Sequence, residues 1–69
     1  MSVMLKALKK RYEAQIAESS TTINIYLTNS VGIGEHPQHL DEIDKLLQVI
    51  VVAEEKIKLI NKWDVNARP

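Results

Sequence analysis

Asn29-Ser30-Val31-Gly32-Ile33-Gly34-Glu35-His36-Pro37 holds both glycines of the chain and one of its two prolines; the other proline is the last residue. Punctuation this dense interrupts regular structure. A stretch of similar length with helical patterning lies on either side. The segment therefore reads as the bend of a helical hairpin. The sequence predicts one domain with helix over 3–28, a bend over 29–36, a second helix over 37–63 and a tail over 64–69.

Upstream of the bend, Ser2 suits the cap of a helix beginning at Val3, its side-chain oxygen accepting from an otherwise orphan amide. Leu5, Leu8, Tyr12, Ile16, Ser19, Ile23 and Leu27 then follow in steps of three and four. Leu5, Ile16 and Leu27 are equivalent positions of an eleven-residue repeat, which hardly drifts around a straight helix. Lys6, Lys9, Lys10, Glu13 and Glu18 fall largely off this stripe, as a solvated face should. Residues 21–28 also support another reading. Ser19-Ser20-Thr21-Thr22 are mediocre helix formers. Ile23, Ile25 and Leu27 alternate with Asn24, Tyr26 and Thr28 in the manner of a strand. A lone strand has no partner for its edge, so helix is the expectation and a helix–short strand–helix fold the alternative.

Downstream, Asn29, Gly32 or Gly34 suits the left-handed conformation that ends a helix. Pro37 suits the first turn of the next one. Glu35, Asp41, Glu42 and Asp44 gather where negative charge is favoured. Ile43, Ile50 and Ile57 are seven apart, as are Leu46, Ala53 and Ile60, the two core positions of a heptad seam. Asp41 with Lys45 and Glu54 with Lys58 have the spacing of ion pairs on one helix face. Closing the hairpin sets Leu27 against Leu40, Ile23 against Ile43, Ile16 against Ile50, Tyr12 against Ala53, Leu8 against Ile57 or Ile60, and Met4 against Trp63. Ser19 falls opposite Leu46 or Leu47.

A chain of 69 residues buries little on its own. Domains of this size need disulfides, a metal, oligomerisation or unusually good helix packing. There is no cysteine, which moves oligomerisation up the list. The second helix carries Leu47, Val49, Val51 and Val52 beyond its seam. With Ile25 and Tyr26 these predict a homodimer that closes a four-helix bundle. A different protein is the competing occupant of that surface.

Formal net charge is zero, which argues against a purely electrostatic nucleic-acid binder. The charges are nevertheless separated along the hairpin. Lys6, Lys9, Lys10, Arg11, Lys58 and Lys62 cluster at the open end, and acidic residues dominate near the bend. The basic end is a candidate anion or nucleic-acid contact. The longest unbroken apolar run, residues 49–53, is too short to span a bilayer. No apolar stretch follows the N-terminal lysines, so a soluble cytoplasmic protein without a signal peptide is expected.

Catalytic and ligand motifs are sparse. His36 and His39 lie three apart and Glu35 or Asp41 adds a carboxylate, but no further histidine or cysteine completes a metal site. Gly32-Ile33-Gly34 lacks the spacing of a phosphate-binding loop. For nucleophilic catalysis there is no cysteine, and serines together with histidines are too common to signal a triad. The expectation is a non-enzyme without a cofactor. Val31 and Ile33 either fold under the bend or form an exposed contact, and with Glu35, His36 and His39 they are the candidate partner-contact residues of the bend.

Ile23-Asn24-Ile25-Tyr26-Leu27, then Val31 to Pro37, then an acidic helix ending Ala53-Glu54-Glu55-Lys56-Ile57, resembles small proteins encoded by T4-like tailed phages, including those of cyanobacteria. The likeness covers most of the chain and centres on the bend. It implies a phage accessory protein acting in an infected bacterial cytoplasm on a host or phage macromolecule, or a minor structural component of the virion. It transfers no functional residue. Val49-Ile50-Val51-Val52 departs from the pattern, where more charge and alanine are expected.

Overall fold

A computed structural model describes residues 2–28 and 38–66. They form two α-helices, α1 (Val3–Thr28) and α2 (Gln38–Asn66), packed against each other. Tyr26 meets His39 at one end of the pair and Lys9 meets Asn61 toward the other, so the helices run antiparallel. The chain is an all-α helical hairpin, a rod of 56 × 14 × 14 Å. The residues predicted to form the bend, including the proposed caps Asn29, Gly32 and Gly34 and the helix starter Pro37, lie outside the described residues.

The first turn of α1 forms as its sequence predicts. Ser2 Oγ accepts from the Leu5 amide at 3.0 Å, and the Ser2 carbonyl accepts from the Lys6 amide at 2.9 Å. The strand alternative at 21–28 is not realised, because α1 runs straight through it. Two hydroxyls explain how this segment stays helical. Thr22 Oγ1 donates to the Glu18 carbonyl at 3.0 Å and Thr28 Oγ1 to the Asn24 carbonyl at 2.7 Å. Each satisfies its polar group one turn back within the helix. The second helix outlasts its predicted end at 63 and continues to Asn66. No glycine or proline intervenes there, so nothing in the backbone stops it.

The heptad seam of α2 is as the sequence predicts. Ile43, Leu46, Ile50 and Ile57 are partly covered, and Ala53 and Ile60 are buried, Ala53 to 1% exposure. Six of the seven residues of the predicted α1 stripe are covered, Leu5, Leu8, Tyr12, Ile16 and Ile23 partly and Ser19 fully, and Leu27 departs from it. Gln15, Thr22 and Tyr26 are half-buried as well, alongside Ile16 and Ile23. Leu27 is 64% exposed and its expected partner Leu40 is 73% exposed. Tyr26 and His39 occupy their place, with ring centroids 5.1 Å apart. Met4 and Trp63, also expected to pair in the seam, are both exposed.

The ion pairs differ in register too. Lys45 Nζ lies 3.9 Å from Glu42 and Lys58 Nζ 3.6 Å from Glu55, each one position short of the expected Asp41 and Glu54. Carboxylates three and four residues back are both within a lysine's reach, and exposed pairs of either spacing contribute only a few tenths of a kcal/mol, roughly 0.2–0.5.

Candidate interaction surface

Successive helical residues point about 100° apart. The seam of α2 therefore has two flanks. Leu40, Leu47, Val51, Glu54, Lys58 and Asn61 lie on one side, apolar near the bend and polar toward the open end. Val49, Val52, Lys56, Leu59 and Trp63 lie on the other, in steps of three, four, three and four. This second stripe climbs about 21 Å at 1.5 Å per residue. The four residues of α2 expected to share one interface are thus divided. Leu47 and Val51 face one way, and Val49 and Val52 face the other.

The two flanks differ in how α1 meets them. On the first, Lys9 Nζ donates to Asn61 Oδ1 at 3.1 Å and ties the helices together. On the second, two open hollows run between the helices. One, of about 370 Å³, is lined by Gln15, Glu18, Ser19, Gln48, Val49 and Val52. The other, of about 310 Å³, is lined mainly by Leu5, Leu8, Tyr12, Leu59, Ile60 and Trp63. Between them Lys56 Nζ sits 5.1 Å from the Tyr12 ring centroid. This places a cation against the negative face of the ring and divides one long groove into two compartments. Ser19 is why the first hollow exists. It is buried at a seam position, and its side chain is too short to fill the space. Across the hollow lie Gln48, Val49 and Val52.

The remaining predicted residues are placed as follows. Ile25 is exposed, two turns beyond Glu18 on the α1 side of the groove. Tyr26 belongs to the intramolecular seam and turns its ring to His39, so it is not an outward contact. His39 is correspondingly a first-turn residue of α2, one heptad before Leu46, and does not belong to the bend. Val31, Ile33, Glu35 and His36 lie outside the described residues. At the basic end, Lys6, Lys9 and Lys10 surround an open hollow that they share with Glu13. Lys9 is engaged by Asn61 and Lys58 by Glu55, while Arg11 and Lys62 are exposed. Two of these six basic residues, Lys9 and Lys58, thus have partners within the chain.

Lys56, Leu59 and Trp63 were not singled out from the sequence as surface residues. The signal was there: continuing from Val49 and Val52 in steps of four and three reaches all of them. Among the described residues no three His, Cys, Asp or Glu side chains gather into a metal site. Neither described helix is long and apolar enough to cross a membrane. Comparison with protein-family models, with curated proteins and with solved structures returns no match to the chain.

Proposed function

We propose that this chain is a non-enzymatic interaction module that self-associates and, as a dimer, binds or modulates another macromolecule. The observation that carries the reading is surplus surface. The hairpin exposes 5484 Å², whereas a compact monomer of 7.8 kDa exposes about 4,400 Å². The difference, about 1,100 Å², compares with the roughly 800 Å² that each partner contributes to a standard interface. Val49, Val52, Leu59 and Trp63 are among the exposed apolar side chains, and fully burying an aliphatic side chain is worth about 1.5–3 kcal/mol. The resemblance to small phage proteins supports an accessory role in an infected host's cytoplasm, with a host or phage protein as the further partner.

Sedimentation equilibrium tests the reading directly. A dimer at micromolar concentration is expected, and a monomer there overturns it. The basic hollow of Lys6, Lys9 and Lys10 favours a second reading, an accessory factor that contacts nucleic acid. That reading requires a salt-sensitive mobility shift with duplex or single-stranded DNA, reduced in Lys6→Glu/Lys10→Glu. Absence of binding at low salt removes it.

A further inference from the structure

We draw no further inference here: the strongest candidate, the apolar groove between the two helices bordered by Val49, Val52, Leu59 and Trp63, is an unpartnered face, and nothing in the structure shows what covers it.

Discussion

The two helices share one seam and contribute to it unequally. Helix α2 brings isoleucine, leucine and alanine at every seam position from Ile43 to Ile60. Helix α1 brings Leu5, Leu8, Tyr12, Ile16 and Ile23, interleaved with Gln15, Ser19, Thr22 and Tyr26. A seam mixed on one side still defines a hairpin, and it leaves the pair under-filled where α1 places Gln15 and Ser19. The hollow beside Ser19 is the visible result.

The largest test of this inequality compares two buried positions. Ala53→Asp places a carboxylate in the tightest part of α2's seam, where it has neither water nor a partner. A loss of at least about 3 kcal/mol is expected, read by urea denaturation at fixed protein concentration. Ser19→Asp is expected to cost less than half of that, because Ser19 borders a hollow open to solvent. Equal losses would mean that α1 packs as tightly as α2. Removing the ring that closes the bend end, in Tyr26→Ala, is expected to cost about 1–2 kcal/mol through lost area and the contact with His39. Upgrading α1 works in the opposite direction. Gln15→Leu gives the seam an aliphatic residue and is expected to raise stability by about 1 kcal/mol; a fall would show that the glutamine is needed where it stands. The smallest effect belongs to the cap. Ser2→Ala is expected to cost about 0.5–1 kcal/mol, visible as a lower thermal midpoint.

The same inequality decided what the sequence made legible. The α2 seam, the hairpin and the Ser2 cap were all readable, because apolar spacing and a capping hydroxyl are local signals. The α1 stripe was legible from Leu5 to Ile23, and only its last position, Leu27, departs by a small angle. An eleven-residue repeat turns about 98° per residue and a seven-residue repeat about 103°. The two coincide near Leu5 and separate by roughly one residue over two repeats, which is the distance between Leu27 and Tyr26. Only the partner helix settles the choice, and hydrophobic pattern alone ranks Leu27 above Tyr26. Polar seam residues such as Gln15, Thr22 and His39 are invisible to that pattern for the same reason. The division of Leu47, Val49, Val51 and Val52 between two flanks follows from helix geometry, but it matters only once the position of the seam is known. The hollows needed the neighbours of Ser19 as well as Ser19 itself.

The rod shape has a practical consequence for anyone weighing this protein in solution. Its radius of gyration is 15.9 Å, whereas a compact domain of this length would have about 11 Å. A value of 15.9 Å belongs to a compact domain of about 180 residues. In gel filtration even a lone hairpin would therefore elute ahead of its mass and imitate an oligomer. Two rods packed flank to flank double the mass with little gain in length, so the dimer diffuses only slightly more slowly than the monomer. Elution volume is thus nearly blind to the one equilibrium that matters most here, and light scattering or sedimentation, which weigh rather than size, can see it.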